Sequence, residues 1–390
     1  MTDTLRVAVV GAGMAGQAHA FGYRNASMAH GLGPVRVELA CVVDPNLPLA
    51  RSVAERYGFA SAQAELDAVL ADPSIDVVSV ALPNLVHAEV LPKVLAAGKH
   101  LFTEKPLGRR VEEARALADL ARSSGVRTGV GFSFRRLPGL AALADAVHAG
   151  AIGDVYSARA WYQADYAADP EGPFSWRYSL AESGGGAILD IGSHAIDALQ
   201  FVAGPVSAVR GACLSTVIPK RPVPSRAVVG HGDAGTTGEY AEVTNDDIAV
   251  VLFELGGGGL AHLEVSRVAA GMPNSLGVTV YGSAGHASFD SITGGEFHIF
   301  QSGVADVLTN GPRRVFTGPQ HPYFADVAPM PGGGVGTGYG EAFVAEIQEF
   351  LHSVLTGQPM STDFDTAVAT MAVVDAAQQV AASGARREVG

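Results

Sequence analysis

The feature that most constrains the fold is a glycine-rich turn between a short apolar run and a helical stretch. Residues 5–10 read LRVAVV, which is typical of a buried strand, and the next six residues read GAGMAG. In this setting Gly11, Gly13 and Gly16 allow, respectively, a tight turn, close approach of the backbone to a pyrophosphate, and helix–sheet packing. We therefore expect a βαβ unit that binds a dinucleotide.

Predicted strands and helices continue to alternate as far as residue 132. VELACVVD, IDVVSVALP, KHLFTE and VRTGVGF are apolar enough for strands, and helical stretches separate them, including one over residues 63–72. Such alternation is typical of a parallel, doubly wound sheet. The sequence therefore predicts an α/β chain whose residues 1–132 form a Rossmann domain that binds NAD(P).

From residue 133 strands dominate, which predicts a second α/β domain, 133–390, with an open and mainly antiparallel sheet. We expect a hairpin at the GGGG of 256–259, and long loops over 218–246 and 329–340, where Gly, Pro and polar residues are frequent. This domain is expected to bind substrate and to mediate oligomerisation. The last helix could pack back on the first domain.

The composition excludes several classes of protein. Of 390 residues, 48% are apolar and 17% charged, which is enough apolar material for two cores. The net charge of −13 disfavours nucleic acid and membrane surfaces as partners. Cys41 and Cys213 lie in separate apolar runs, so we expect reduced thiols in a cytoplasmic protein rather than a disulfide framework or a zinc site. The apolar run at the N-terminus is too short for a signal peptide core.

The helix after the glycines is expected to hold the phosphates with its first amides, at Met14 and Ala15. Asp44 ends the second predicted strand, where a carboxylate can accept both ribose hydroxyls and repel a 2′-phosphate, so NAD is favoured over NADP. The spacing is longer than usual, and HGLGPVR has the character of an insertion. No arginine follows Asp44 until Arg51. Alternatively, Asp44 simply begins the turn DPN.

Two further segments follow strands of the same sheet, at the edge where ligands bind. In ALPNLVHAE, residues Pro83, Asn84 and His87 are expected to border the nicotinamide, although Asn84 could instead cap a helix and His87 could serve local hydrogen bonding. In LFTEKPLG, Pro106 restricts Lys105 to extended geometry. A cation held there could orient a substrate hydroxyl, but an ordinary surface lysine is the alternative.

A third segment, ESGGGAILDIGSHAIDAL, predicts a glycine loop leading into a helix that starts near Ala187. Asp190 and His194 are four residues apart and share one face of that helix. The pair suits a general acid/base histidine tuned by a carboxylate. A surface i,i+4 pair is one alternative. A metal site is another, but it needs a third ligand that the sequence does not place, so no metal is expected.

Taken together, the GAGMAG start, LPNLVHAE, AGKHLFTEKPL, GFSFRR and GGGAILDIGSHAIDAL resemble the Gfo/Idh/MocA family of oxidoreductases. The resemblance implies a Rossmann domain followed by an α/β domain whose open sheet face often makes the oligomer contact, here a homodimer or homotetramer. The family's catalytic lysine and aspartate–histidine pair fall on Lys105, Asp190 and His194. Histidine serves as the base in that family, and Glu104 and Pro106 shape the nicotinamide pocket.

The later segments resemble the levoglucosan dehydrogenase branch of this family, which oxidises sugar rings at a secondary hydroxyl. The likeness implies that a set of aromatic and polar side chains borders the substrate. This set comprises Tyr162, Gln163, Asp165, Trp176, Arg177 and Tyr339. Arg135 is a further candidate for substrate binding, or else forms a salt bridge at the domain boundary. For Tyr162, ordinary strand packing is the alternative.

The sequence therefore predicts an NAD-dependent oxidoreductase acting on a secondary hydroxyl of a sugar, anhydrosugar or cyclitol. Lys105 and His194, from separate domains, are expected to converge beside one face of the nicotinamide. An NAD-retaining glycosidase or epimerase that uses transient oxidation is an alternative. A dinucleotide-sensing protein without chemistry is another, although a sensor has no need of Lys105, Asp190 and His194.

Overall fold

The computed structural model describes residues 4–28, 32–33, 35–226, 235–303 and 308–390. The chain divides into two compact units. The first takes in the chain up to Ser133, with Asp326–Ala328 and Tyr339–Ala369. The second takes in Phe134–Ala325, Pro329–Gly338 and Thr370–Gly390. Among the described residues, none of the helices is both long enough and apolar enough to span a membrane.

The first unit is built on a parallel sheet of six strands. These are β1 (Thr4–Val10), β2 (Arg36–Val43), β3 (Ser61–Gln63), β4 (Val77–Val80), β5 (His100–Thr103) and β6 (Thr128–Val130). Their order across the sheet is β3-β2-β1-β4-β5-β6, and all five pairs are parallel. This is the doubly wound order, in which the chain changes direction across the sheet between β1 and β4.

Five helices follow these strands in turn: α1 (Met14–Asn25), α2 (Leu47–Tyr57), α3 (Asp67–Ala71), α4 (Asn84–Ala96) and α5 (Val111–Ser124). The last four residues of β1 are all buried, which is typical of a central strand covered on both faces. Since the strands are parallel, their carboxyl ends, and the loops that follow them, share one edge of the sheet. The predicted Rossmann architecture is confirmed.

One strand of this sheet differs from the prediction. The helix expected over residues 63–72 is shorter, because Gln63 belongs to β3 and the helix α3 begins only at Asp67. β3 has three residues, pairs only with β2, and reads SAQ. So short and polar an edge strand has no alternation that a sequence pattern could reveal.

The second unit contains a sheet of nine strands. These are β7 (Val155–Gln163), β8 (Val206–Ser215), β11 (Ile248–Leu255), β12 (Leu260–Ser266), β13 (Ser275–Gly282), β14 (Gly285–Asp290), β15 (Glu296–Gln301), β16 (Arg313–Phe316) and β17 (Arg387–Glu388). The sheet order is β16-β15-β14-β13-β7-β12-β11-β8-β17, and only β7 and β12 pair in parallel. β11 and β12 form the hairpin predicted at 256–259.

The remaining strands correct a prediction. β9 (Lys220–Pro224) and β10 (Thr236–Glu242) form a separate antiparallel ribbon inside the segment expected to be a loop, 218–246. Residues 227–234 of that segment lie outside the described residues. The ribbon forms through backbone pairing of polar strands, which lack the apolar alternation that predicts strands.

Helices complete both units. The second unit holds α6 (Pro138–His148), α7 (Leu180–Ser183), α8 (Ala187–Asp190) and α9 (Gly192–Ala203). α9 packs on β7, β12 and β13, and α6 packs on α9, β14 and β15. The chain ends with α10 (Tyr339–Thr356), which belongs to the first unit and packs on α1, and with α11 (Phe364–Ser383).

Candidate active site

The glycine loop after β1 has the shape that the sequence predicts. Gly11 has φ of +103°, and a Cβ there would lie 2.3 Å from the carbonyl oxygen of Ala81. A Cβ on Gly16 would lie 1.8 Å from the carbonyl oxygen of Gly11. Both positions therefore exclude any side chain, Gly11 for its backbone conformation as well as for space.

Gly13 differs from its neighbours, because a Cβ built on it meets no protein atom within 4 Å. It is the N-cap residue of α1 and has no side chain to cap the helix, whose first residues are Met14 and Ala15. The first amides of a helix point outward and carry the positive end of its dipole. This open, side-chain-free cradle fits the pyrophosphate of a dinucleotide.

Asp44 follows β2 and contacts the glycine loop directly. Its Oδ2 accepts a hydrogen bond from the amide of Ala12 at 2.8 Å, and its Oδ1 accepts one from the amide of Asn46 at 2.8 Å. Each carboxylate oxygen has a second lone pair for a ribose hydroxyl. Asp44 thus begins the DPN turn and also stands beside the cradle. Residues 30, 31 and 34 of the predicted insertion lie outside the described residues.

The loop after β4 runs directly into α4. Pro83 occupies the N-cap position and Asn84 is the first helical residue, so Asn84 does not cap this helix, contrary to one alternative for it. His87 is buried, with Nδ1 3.0 Å from the carbonyl oxygen of Pro106 and Nε2 3.0 Å from that of Leu82. The imidazole therefore bridges the loops that follow β4 and β5.

The loop after β5 carries the predicted lysine. Glu104 and Lys105 are both half-buried, and the peptide between Lys105 and Pro106 is cis. Glu104 continues the strand pairing, since its amide donates to the carbonyl of Val80 at 2.9 Å. Lys105 accordingly lies at the same edge of the sheet as the glycine loop.

In the second unit, the helix predicted from Ala187 is interrupted. α8 ends at Asp190 and α9 begins at Gly192, with Ile191 between them at φ −103° and ψ −29°. Glycine weakens helices, and here a Cβ on Gly192 would come within 3.2 Å of the carbonyl oxygen of Ala187. Asp190 therefore ends one helix, and His194 lies in the first turn of the next.

Aromatic residues contact both members of this pair, and sequence reasoning passed over two of them, Tyr166 and Phe134. The hydroxyl of Tyr166 donates to Oδ2 of Asp190 at 2.9 Å. Burial first, and the Asp190 charge second, raise the pKa of Tyr166 well above its usual value, so the hydroxyl keeps its proton. His194 is buried with its ring 5.2 Å from that of Phe134 and 6.1 Å from that of Tyr162.

The glycine loop before α8 rests on a buried polar turn, residues 245–247. The Asp246 carboxylate accepts from the amides of Gly186 at 2.9 Å and Ile188 at 2.8 Å. Asn245 donates to the carbonyl of Gly185, and Asp247 pairs with Arg267 at 2.8 Å. Asn, Asp and Asp in succession before an apolar strand (NDDIAVV) were the only local sign of this support.

Three of the predicted substrate residues are engaged within the second unit. Arg135 forms a buried, bidentate pair with Asp197 of α9, at 2.7 and 2.5 Å. The Tyr162 hydroxyl donates to Oδ1 of Asn274 at 2.7 Å, and its ring lies on the His194 side of β7. Gln163, the next residue of that strand, points to the opposite face and contacts Glu264.

The other predicted substrate residues lie in loops or at a helix start. Asp165 is in the loop after β7, and the Arg177 guanidinium stacks 4.5 Å from the Trp176 ring. Tyr339 opens α10 in the first unit, where the Ser133 hydroxyl donates to its oxygen at 3.1 Å. Within the described residues, no three His, Cys, Asp or Glu side chains are grouped so as to hold a metal ion.

The chain is similar to known oxidoreductases over most of its length. Residues 5–132 match the family model described as "Oxidoreductase family, NAD-binding Rossmann fold", and residues 140–288 match "GFO/IDH/MocA C-terminal domain". Levoglucosan dehydrogenase from Pseudarthrobacter phenanthrenivorans is 34% identical over 382 residues, 97% of each chain. D-glucoside 3-dehydrogenase from Escherichia coli is 34% identical over 204 residues, 52% of this chain and 55% of the relative.

Solved structures of levoglucosan dehydrogenase are also similar to this chain. A levoglucosan dehydrogenase in complex with NADH and L-sorbose superposes with a TM-score of 0.91, at 32% identity and full coverage of both chains. The complex with NADH and levoglucosan also has a TM-score of 0.91, at 31% identity, covering 99% of this chain and 100% of the other. The chain therefore belongs to the Gfo/Idh/MocA family of oxidoreductases, and residues 5–132 are its NAD-binding Rossmann fold.

Proposed function

We propose that this enzyme oxidises a secondary hydroxyl of a sugar, anhydrosugar or cyclitol, with NAD⁺ as the hydride acceptor. One observation carries the proposal. The chain is similar along its whole length to levoglucosan dehydrogenase, and it holds the lysine and the aspartate–histidine pair that such chemistry needs, at Lys105, Asp190 and His194.

The proposed reaction assigns one role to each residue. His194 takes the proton from the substrate hydroxyl while the carbinol C–H bond breaks, and a C=O bond forms as the hydride leaves. NAD⁺, held by the glycine cradle, would supply the hydride acceptor, so that the overall products would be a ketone, NADH and a proton. Asp190, held by Tyr166, orients the imidazole, and the Lys105 ammonium stabilises the developing alkoxide.

For the cofactor, we assign the pyrophosphate to the cradle of Gly11, Gly13 and Gly16 and to the amides at Met14 and Ala15. Asp44 is assigned to the adenosine ribose, where its charge disfavours NADP. Asn84 and Pro83 are assigned to the nicotinamide side, together with Glu104 and Pro106. His87 acts by holding the two loops together, because both of its ring nitrogens face carbonyl oxygens of the protein.

For the substrate, we retain Tyr162, Asp165, Trp176, Arg177 and Tyr339 as bordering residues. A sugar ring needs aromatic faces and a rim of donors and acceptors, which these side chains offer. Arg135 and Gln163 are assigned to structural roles instead, since both bind acidic side chains of the protein.

We also propose that the open face of the nine-stranded sheet mediates a homodimer or homotetramer. Large apolar side chains stand exposed on three strands of that sheet, with Val250 and Leu252 on β11, Leu260 on the adjacent β12, and Tyr281 on β13, beyond β7. An apolar patch of this kind marks an interaction site. Leu252→Glu should lower the oligomeric state in sedimentation experiments, and an unchanged state would contradict this assignment.

The deciding experiment is NAD⁺ reduction across levoglucosan, D-xylose, glucosides, hexoses and inositols, followed by NADH absorbance. We expect one class to give steady turnover, and Lys105→Ala and His194→Ala to lower kcat by about 10²–10⁴-fold while still binding NADH. His352→Ala, at an exposed histidine of α10, is the matched control. Normal turnover in either active-site variant would overturn the assigned mechanism.

The same experiment separates the alternatives. An NAD-retaining glycosidase or epimerase would consume or isomerise its sugar without accumulating NADH, and the protein would purify with tightly held cofactor. A sensor would bind NADH and show no turnover with any member of the panel.

A further inference from the structure

A buried histidine in α1 has no part in the mechanism above. His19 lies in the second turn of the helix that begins at the glycine loop, and its ring is fully buried. It packs at 5.1 Å from the ring of Phe102 and at 6.1 Å from that of Phe343. A polar ring in such surroundings is destabilising unless its nitrogens find partners.

Both ring nitrogens of His19 have partners, and one partner, Glu104, directly precedes Lys105 in the loop after β5. Nδ1 lies 2.9 Å from Oγ of Ser79 on β4, and Nε2 lies 3.2 Å from Oε1 of Glu104. An ionised carboxylate only accepts hydrogen bonds. Nε2 therefore carries a hydrogen and donates a hydrogen bond to Glu104. In the neutral ring, Nδ1 then accepts from the Ser79 hydroxyl.

The Glu104 carboxylate is held from several sides. Its Oε2 accepts from the backbone amide of Lys105 at 3.2 Å, while its Oε1 accepts from His19. Gly131, after β6, leaves it room, because a Cβ there would come within 3.1 Å of Oε1. The side chain of Glu104 is only 14% exposed. Fixing this carboxylate therefore also orients the peptide group from which Lys105 projects.

His19 thus joins two parts of the site that are far apart in sequence. Its helix presents amides at the pyrophosphate cradle, and its imidazole reaches the residue before Lys105, 85 positions further along the chain. A rigid connection of this kind holds a catalytic side chain in its productive geometry.

We propose that His19 is a positioning residue, which fixes Glu104 and, through it, the backbone of Lys105. The proposal deepens the proposed dehydrogenase function and relies on the role assigned there to Lys105. Loss of the imidazole should lower turnover more than it weakens cofactor binding, because the glycine loop and Asp44 are left intact.

The test compares His19→Phe, which keeps a buried ring without a donor, with His19→Gln, which retains an amide N–H that can reach Glu104. We expect His19→Phe to lower kcat by about 10–100-fold with little change in the Kd of NADH, and His19→Gln to restore part of kcat. His352→Phe makes the same substitution at an exposed histidine of α10, away from both imidazole contacts, and should behave as the wild type.

Hydrogen exchange in the protein without added NAD supplies a readout that does not need turnover. Amides of residues 101–108 should exchange faster in His19→Phe than in His352→Phe or the wild type. If His19→Phe does not fold, Glu104→Gln and His19→Gln test the same link. Each variant alone should speed this exchange, and their combination should add little to the larger effect.

The outcomes are distinct. Unchanged exchange over 101–108 in every folded variant, or additive effects of His19→Gln and Glu104→Gln on exchange, would overturn the positioning role. If none of the sugars tested supports NAD⁺ reduction by the wild type, the proposed function fails. The exchange data still decide whether His19 holds the loop of residues 101–108.

Discussion

The Tyr166 hydroxyl donates a 2.9 Å hydrogen bond to Oδ2 of Asp190, so a residue from the loop after β7 holds the carboxylate assigned to orient His194. The raised pKa of Tyr166, caused first by its burial, keeps the hydroxyl protonated and able to donate at neutral and moderately alkaline pH. A residue outside the helix that carries Asp190 therefore contributes to the orientation of its carboxylate.

Tyr166→Phe removes this bond while keeping the ring. We expect kcat to fall by roughly tenfold, the equivalent of the ~1.5 kcal/mol that a hydrogen bond to a charged group contributes. Steady-state kinetics with the identified sugar measure the fall, and KM for NAD⁺ serves as an internal control because Tyr166 belongs to the second unit. A variant with wild-type kcat would show that Asp190 is oriented by other contacts.

Substitutions at two glycines of the loop after β1, Gly13 and Gly16, should distinguish an effect on cofactor affinity from an effect on the stability of the fold. Gly13→Ala places a methyl group in open space at an ordinary φ of −69°, so the folded protein should keep its Tm. NADH should bind at least about tenfold more weakly, since each 1.4 kcal/mol of steric cost is a factor of ten. Fluorescence titration and thermal unfolding measure the two quantities.

Gly16→Ala is the counterpart, because its Cβ would lie 1.8 Å from the carbonyl oxygen of Gly11. We expect this variant to have a lower Tm and also weaker NADH binding. If Gly13→Ala bound NADH with the affinity of the wild type, the assignment of the pyrophosphate to that part of the loop would be contradicted.

The free energy of unfolding should depend on pH through His87, and the burial of this histidine sets the sign of that dependence. Burial lowers the pKa of His87, while the carbonyls of Leu82 and Pro106 act against that shift. Below its ordinary value of about 6.5 the unfolded chain binds a proton that the folded chain does not, so the free energy of unfolding falls as the pH drops.

His87→Gln, which does not titrate, should show a shallower fall over this range. Urea unfolding of both proteins at about pH 7.5 and about pH 5.5 tests it, because other groups cancel in the difference between them. Equal slopes would show that the two carbonyl contacts fully offset the burial.

The buried pair of Arg135 and Asp197 should behave as a structural contact of α9. Arg135→Met leaves the Asp197 charge buried without its partner, which we expect to lower the free energy of unfolding by about 3–5 kcal/mol. Arg135→Met combined with Asp197→Leu should recover much of that loss. A variant that stays stable but has a strongly raised KM for the sugar would instead favour the substrate role first expected for Arg135.

Much of the site was predictable because its signals are local. The GAGMAG turn sits between an apolar strand and a helix, and Lys105 lies two residues after β5, so both could be assigned to one edge of a parallel sheet. The position of Asp190 and His194 in a helical segment was likewise predictable, although the division of that segment into two helices at Ile191 was not.

The supports of the site escaped prediction because they join distant parts of the chain. Asp246 holds the amide of Gly186 across 60 positions, and His19 holds Glu104 across 85. The short strand β3 and the polar ribbon of β9 and β10 exist only through backbone pairing with other strands. No window of neighbouring residues contains both partners of such contacts.

The order of apolar runs, glycines and helical stretches was by itself enough to predict the Rossmann topology and the glycine loop that opens α1, and it suggested which residues handle protons. Only the tertiary structure decided which side chains hold those residues in place: Tyr166 on Asp190, His19 on Glu104, and Asp197 on Arg135. The physical reason is that periodicity and turn chemistry act over a few neighbouring residues. Hydrogen bonds between buried side chains, by contrast, depend on elements that meet only after the chain has folded.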